Sequence, residues 1–319
     1  MAAMNRRQFL SSTAGVATLS AAGLLANQAW SDPLGLPVGL QLYTVGDDMQ
    51  KDAPGTVQKV AEIGYKEVET AGFGSVNTAA ALRKLLDENG LKCPSAHLNF
   101  DMKNLNKAFD DAHALGCTYA TASVPRLLIM DLPSPTEGSP AERQAVIQKI
   151  VAALSAPLSP DDLKRLIEAM NHVGSAAKEQ GLMLASHNHT FEFAFVDGRP
   201  ALYSMIEQTD PNNVKFEIDC GWAEVAGYNP VDIAAKYHGR IKMLHIKDFL
   251  PFKKGATIGG PDAPKGAEIG QGVVDYKAIF AGMRGKGIQH IFVEQEGPFS
   301  RMPAMQAAEV DYKYLHSLS

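Results

Sequence analysis

From Pro37 onward, short apolar runs suited to strands alternate with longer stretches whose apolar positions recur every three or four residues. The runs predict eight strands, at 38–44, 67–70, 92–98, 119–124, 183–188, 214–219, 241–247 and 291–294. The helical spacing between them predicts helices over 56–63, 79–89, 105–115, 161–180 and 276–284, several closed by a glycine such as Gly64, Gly90, Gly116, Gly181 or Gly287. Eight strand–helix pairs in succession make the chain an α/β protein of the (β/α)8 TIM barrel class. A doubly wound open sheet shares the alternation but normally carries a glycine-rich phosphate loop after its first strand. Val45-Gly46-Asp47-Asp48 follows here instead, and it matches no such loop.

Two connections are longer than the rest, and both follow predicted strands, which is the catalytic side of a barrel. The first, 125–140, contains Pro133, Pro135 and Pro140 and leads into an extra helix around 141–154. The second, 248–274, is rich in glycine and lysine and is expected to be a mobile lid, because it follows the most polar strand end in the chain.

The first thirty residues break the pattern. Asn5-Arg6-Arg7-Gln8-Phe9-Leu10 precedes an uncharged, alanine-rich stretch from Ser11 to Trp30, which resembles a twin-arginine export signal. Residues 1–30 are therefore expected to be that signal, with 31–319 forming one barrel domain. The protein would be periplasmic or otherwise exported by the twin-arginine route, touching a membrane only through an uncleaved signal. That route carries proteins already folded, which suits a metalloenzyme.

Composition narrows the partners. Apolar residues make up 45% of the chain, enough to bury a core, so disorder is excluded. The formal charge is −5, and removal of Arg6 and Arg7 makes it two units more negative. No nucleic-acid partner is expected from such a balance, since phosphate contacts need a basic face. Cys93, Cys117 and Cys220 are odd in number and widely spaced, and read as small core residues. A homo-oligomer is compatible with the sequence but nothing in it specifies one.

Candidate chemistry gathers where predicted strands five to eight end. The fifth runs into Ser186-His187-Asn188-His189-Thr190-Phe191-Glu192-Phe193, and the sixth ends in Glu217-Ile218-Asp219-Cys220-Gly221-Trp222. The seventh ends in His245-Ile246-Lys247-Asp248 and the eighth in Glu294-Gln295-Glu296. These four ends are neighbours in a barrel, so Glu192 or His187 can converge with Asp219, His245 and Glu294 on one ion. Nitrogen and carboxylate donors together suit Mn²⁺, Co²⁺, Mg²⁺ or Zn²⁺. Trp222 and Phe193 are either core residues or platforms for the C–H faces of a sugar.

Several further segments carry a family resemblance: Gly39-Leu40-Gln41-Leu42-Tyr43-Thr44, Ile63-Gly64-Tyr65-Lys66-Glu67-Val68-Glu69, Cys93-Pro94-Ser95-Ala96-His97, Lys215-Phe216-Glu217-Ile218-Asp219 and Gly270-Gln271-Gly272-Val273-Val274-Asp275. With His187-Asn188-His189 and His245-Ile246-Lys247-Asp248, they make the chain resemble the sugar phosphate isomerase/epimerase group of the xylose-isomerase-like barrels. The resemblance implies a divalent metal on a strand-five glutamate, a strand-six aspartate, a strand-seven histidine and a strand-eight glutamate. Asp219, His245 and Glu294 match the last three positions. At strand five this chain has His187 on the strand end and Glu192 five residues later; Glu192 is the expected ligand, because a third carboxylate balances the cation better than a second imidazole, with His187 as the alternative.

The resemblance implies a metal-dependent isomerase or epimerase acting on a keto-sugar through a metal-stabilised enediolate. Loss of a β-substituent from the same intermediate gives the alternative, a dehydratase or lyase of the inosose-dehydratase or 3-keto-glycoside-cleaving type. A second alternative is an exported sugar-binding barrel without chemistry. Glu192 and Glu294 are expected to double as base and acid, with His97, His189 and Lys247 in proton transfer or oxygen binding. His187, Trp222 and Glu217 are expected to touch the substrate. An endonuclease on the same barrel is disfavoured by the negative charge and the few histidines near strand ends.

Overall fold

The computed structural model describes residues 32–318 apart from 131–139, 156, 259–261, 298 and 300. The expected export signal and most of the 125–140 connection fall outside the described residues. Eight parallel strands close into a barrel: β1 (Val38–Gln41), β2 (Glu67–Thr70), β3 (Lys92–His97), β4 (Tyr119–Ala122), β5 (Met183–His187), β6 (Val214–Asp219), β7 (Ile241–Ile246) and β8 (His290–Val293). Each strand pairs with its neighbours in sequence, and β1 closes the ring on β8 through Val38 opposite Ile291. The TIM barrel expected from the periodicity is therefore the fold.

Alternation along each strand sorts the side chains. Leu40, Val68, Leu184, Phe216, Ile218, Leu244, Ile246 and Val293 point outward into the main core shared with the helices. The inward positions form layers. Tyr119, Ala185, Met243 and Phe292 make an apolar floor inside the barrel. One strand must thin to admit it: a Cβ at Gly39 would lie 2.5 Å from the Phe292 ring, so β1 carries glycine at that level. Above the floor the inward residues turn polar, and that change of character places the candidate site.

The helices that wrap the barrel are α1 (Gly46–Lys51), α2 (Ala53–Ile63), α3 (Ala79–Glu88), α4 (Asn106–Leu115), α5 (Pro140–Ser155), α6 (Pro160–Glu179), α7 (Ala201–Gln208), α8 (Cys220–Ala226), α9 (Pro230–Lys236), α10 (Tyr276–Met283) and α11 (Ala304–His316). Their starts follow ordinary capping chemistry: Asp52, Thr78, Ser159 and Asp275 each accept a first-turn backbone N–H. The first strand is shorter than expected, ending at Gln41, because the Gln41 side chain accepts the Tyr43 N–H and turns Leu42–Val45 into a 3-10 turn. Among the described residues, no helix is long and apolar enough to cross a membrane. All three cysteines are free and buried.

The segment after β7 is tied down at its far end. Asp248 accepts backbone N–H groups from Phe249 at 2.8 Å and from Gly270, Gly272 and Val274 at 3.0 Å each. Gly272 is needed for this approach, since a Cβ there would lie 2.1 Å from the Asp248 carboxylate. Asp311 on α11 accepts the neighbouring Ile269 N–H at 2.7 Å. The segment expected to be a lid over 248–274 is thus anchored from residue 269 onward, and earlier in it the Gly255 N–H donates to the Val225 carbonyl at 2.7 Å. Asp248→Ala would leave four N–H donors without their acceptor and is expected to cost on the order of 3–5 kcal/mol. Urea unfolding measures it, and a loss below about 1 kcal/mol would refute this anchoring role.

Candidate metal centre at the strand ends

His187 is the last residue of β5, Asp219 the last of β6, His245 lies one before the end of β7, and Glu294 directly follows β8. All four are inward positions by the two-residue period, and donor atoms from all four lie within 4.8 Å of one another. Their burial is complete or nearly so. Asp219 owes its orientation to its backbone role: one oxygen caps α8 by accepting the Trp222 N–H at 2.7 Å. The other oxygen makes no hydrogen bond and lies 3.3 Å from the Lys247 ammonium. Asn188 braces the same corner by accepting the Asp219 N–H at 3.1 Å, which ties the end of β5 to the end of β6.

Lys247 is the fixed positive charge of the site. It follows β7, is 1% exposed, and reaches Glu296 at 2.5 Å and Glu294 at 2.8 Å. Burial alone would lower its ammonium, but Glu294, Glu296 and Asp219 hold it well above the usual lysine range. Tyr276 grips its backbone, accepting its N–H at 2.7 Å and donating to its carbonyl at 2.6 Å. Burial pushes Glu294 up, but Lys247 and His245 hold it well below the ordinary carboxylate range. For Asp219 burial wins, and its carboxyl is raised.

Beneath this group lies a second ring of polar side chains. Glu217 Oε2 lies 3.0 Å from His187 Nδ1, 3.1 Å from His97 Nε2 and 3.2 Å from His245 Nε2. Glu69 Oε2 lies 2.7 Å from His245 Nε2 and 3.0 Å from His97 Nε2, and accepts the Gln41 amide at 2.8 Å. Ser95 donates to the other Glu69 oxygen. Burial would lower the His97 imidazole, yet Glu69 and Glu217 raise it to about 9. His97 and Glu217, expected to handle substrate, therefore face the layer below the four-residue group.

Glu192 stands apart from both groups. It sits in the 3-10 turn Phe191–Phe193 and accepts the His189 backbone N–H at 2.8 Å. Burial raises its carboxyl to about 7. His187, not Glu192, is the strand-five residue that the structure brings together with Asp219, His245 and Glu294. His189 lies beside the group with its ring 4.9 Å from His187, and its Nδ1 has no hydrogen-bond partner. Burial, reinforced by His187 and Lys247, pushes its imidazole well below the usual histidine range, so it is held neutral.

Trp222 is 3% exposed and packs with Val225, Phe249 and Ala256, with Phe252 and Ile258 of the following segment laid against them. The Lys247 ammonium is 5.1 Å from its ring centre, so the indole forms one wall of the site. Phe193 stacks on Tyr228 at 4.8 Å within the core. Glu69, Gln41 and Glu296 were not singled out from the sequence. A signal existed for Glu69: Glu67-Val68-Glu69 in one short strand puts two carboxylates on the same side, and in a closed barrel that side is the interior.

The donor set fits a divalent ion on the evidence of its own charges. Glu69, Glu217, Asp219 and Glu294 are four buried carboxylates, and Lys247 is the fully buried lysine among them. Buried carboxylates need compensating charge. Two imidazoles and two carboxylates around one point, with an Asp219 oxygen left without a hydrogen bond, supply the ligands for such a cation.

The profile of the xylose isomerase-like TIM barrel family matches residues 57–317. The inosose dehydratase of Geobacillus kaustophilus (strain HTA426) is 24% identical over 259 residues, which is 74% of this chain and 77% of that protein. Other inosose dehydratases match over 60% or less of their own length. Among solved structures, a sugar phosphate isomerase/epimerase from Parabacteroides distasonis ATCC 8503 superposes with a TM-score of 0.65 at 23% identity, covering 88% of this chain and 94% of its own. The IOLI protein with a bound zinc atom superposes with a TM-score of 0.60 at 14% identity, over 89% of this chain and 98% of its own.

Proposed function

Because the chain belongs to the xylose isomerase-like TIM barrel family, we propose that it is a divalent-metal-dependent enzyme of carbohydrate metabolism. It takes a proton from the carbon beside a carbonyl in a small polyhydroxylated ketone, a keto-sugar or ketocyclitol, and completes the reaction by expelling a β-hydroxyl as water. The observation that carries this reading is the four-donor group set directly against a buried ammonium and a neutral imidazole.

A divalent ion held by His187, Asp219, His245 and Glu294 would supply Lewis acidity toward the substrate carbonyl. The zinc reported in the IOLI neighbour is in keeping with that role. Lys247 places a permanent positive charge where negative charge develops on the substrate oxygen. Glu294, Glu296 and Asp219 hold its ammonium well above the usual lysine range, which suits an electrostatic part. His189, neutral and with an unpaired ring nitrogen, is the base. Glu192, poised near 7, carries a proton close to neutral pH and delivers it to the departing hydroxyl. Trp222 and the segment around Phe252 keep water from one side of the reacting carbons.

Elimination is preferred over isomerisation because the Geobacillus kaustophilus relative, aligned over 77% of its length, carries the dehydratase name. The isomerase and epimerase names belong to structural neighbours whose identity supports the fold alone. A panel of ketocyclitols and keto-sugars, incubated with the Mn²⁺-loaded protein and read by NMR, tests the choice. An unsaturated or deoxy-diketone product with loss of water is expected. A product of unchanged mass with inverted or migrated functionality would move the assignment to epimerase or isomerase.

A further inference from the structure

We propose that Glu217 and Glu69 are positioning residues for the metal centre, fixing the tautomer and orientation of its two histidines from below. The inference rests on the divalent-ion reading above and adds to it which side chains set the donor strength of the ligands.

His245 shows the logic in one ring. Its Nδ1 lies 3.0 Å from Glu294 Oε2, inside the ligand group, while its Nε2 lies 2.7 Å from Glu69 Oε2 and 3.2 Å from Glu217 Oε2. Both ring nitrogens face carboxylates here, but Glu294 belongs to the ligand group and Glu69 and Glu217 do not, so with the ion on Glu294 the hydrogen stays on Nε2 and Nδ1 offers its lone pair. His187 repeats the arrangement with the nitrogens exchanged. Its Nδ1 lies 3.0 Å from Glu217 Oε2 and carries the hydrogen, which leaves Nε2 as its donor atom. Glu217 thus orients His187 and Glu69 orients His245, with Glu217 close behind it, and the negative charge behind each ring strengthens it as a donor to a cation.

The two carboxylates are themselves held. Glu69 is fixed by Gln41, Ser95 and His97, and Glu217 by His97, whose Nε2 sits between them at 3.0 and 3.1 Å. All of these side chains are on barrel strands, and Glu69 and Glu217 are fully buried, so the positions are set by the rigid sheet. His97, His187, Glu217 and His245 also have donor atoms within 4.8 Å of one another, which raises the question of a second ion. The lower group borrows His187 and His245 from the upper one, and Glu217 Oε2 already faces three ring nitrogens. The arrangement therefore serves one ion per chain, with the lower carboxylates outside its ligand sphere.

The test uses the full-length protein, wild type and with Glu217→Gln and Glu69→Gln made separately, so that a folding defect in one leaves the other to be read. Co²⁺ content, Co²⁺ affinity by competition with a chromophoric chelator, the visible spectrum of the Co²⁺ form and the thermal midpoint are measured. The wild type is expected to take up one ion per chain. Each variant should lose about 10–100-fold in Co²⁺ affinity and show a shifted ligand-field band while still unfolding cooperatively. Unchanged affinity and spectrum in both variants would overturn the positioning role and leave the metal centre standing. Two ions in the wild type and one in a variant would overturn it too, by making the carboxylates ligands. No ion in the wild type would remove the metal centre itself.

Discussion

His245→Ala is expected to abolish uptake of the divalent ion and to lower turnover by about three orders of magnitude or more, at the scale of lost Lewis-acid and oxyanion stabilisation. The size of the effect follows from the position of the ring. His245 is fully buried, reaches Glu294 with one nitrogen and Glu69 with the other, and stands 6.2 Å from the Phe292 ring of the apolar floor. Its removal deletes a ligand and also takes one partner from each of Glu69 and Glu294, so the carboxylates repel one another more strongly. Asp219→Asn should behave similarly, though more mildly, because the amide oxygen can still cap α8 while the charge is gone. Elemental analysis after loading and desalting, alongside turnover on the substrate found in the panel, measures both. Full ion content in His245→Ala would remove it from the ligand set.

Lys247→Met is the second large effect, and it separates the ion from the ammonium. Methionine fills a similar volume without charge, which leaves Asp219, Glu294 and Glu296 facing one another with their lysine removed. Breaking one side of a buried ion pair costs on the order of 3–5 kcal/mol. That penalty should appear chiefly in the ion-free protein, because a bound cation neutralises Asp219 and Glu294 in its place. The variant is therefore expected to melt well below the wild type without metal and to recover much of the difference when Mn²⁺ is added. Turnover should remain about 10²–10³-fold low even in the loaded form, since a preorganised charge beside the reacting oxygen is lost. Thermal melts with and without Mn²⁺, with kinetics on the loaded form, check both halves. Equal melting of variant and wild type without metal would contradict the role given to Lys247.

Much of the barrel was legible because each strand is a short apolar run that ends in a polar residue, and period-two alternation then assigns a side to every position. That reasoning reaches Asp219, His245 and Glu294, and His187 as the alternative to Glu192, without any contact being known, since each lies at or beside a strand end on its inward parity. It does not extend into the loop beyond. Glu192 looked suitable as a ligand by charge, but the direction of the chain after His187 depends on the 3-10 turn at Phe191–Phe193. That turn directs the carboxylate to the His189 N–H, a local hydrogen bond with no periodicity to announce it.

The lower ring was hidden for a different reason. Glu217 was singled out, but toward the substrate, and Glu69 was not; both lie within strands, where a charged residue reads as a solvated face unless the sheet is known to close on itself. Closure turns that face into a buried interior, and only the partners His97, His187 and His245 make it tolerable there. The helices α7, α8 and α9 are seven or eight residues long, too short for a 3.6-residue period to stand out against neighbouring strands. The extra helix after the 125–140 connection was legible because it is sixteen residues long.

The measurement that bears most directly on the metal centre is a crystal structure of the Mn²⁺-loaded protein with an anomalous difference map. One peak per chain is expected, within coordination distance of His187 Nε2, Asp219 Oδ2, His245 Nδ1 and Glu294, with Glu192 still on the His189 N–H and Glu217 outside the ligand sphere. A peak bound by Glu192 in place of His187, or lying in the lower ring between His97 and Glu217, would contradict it.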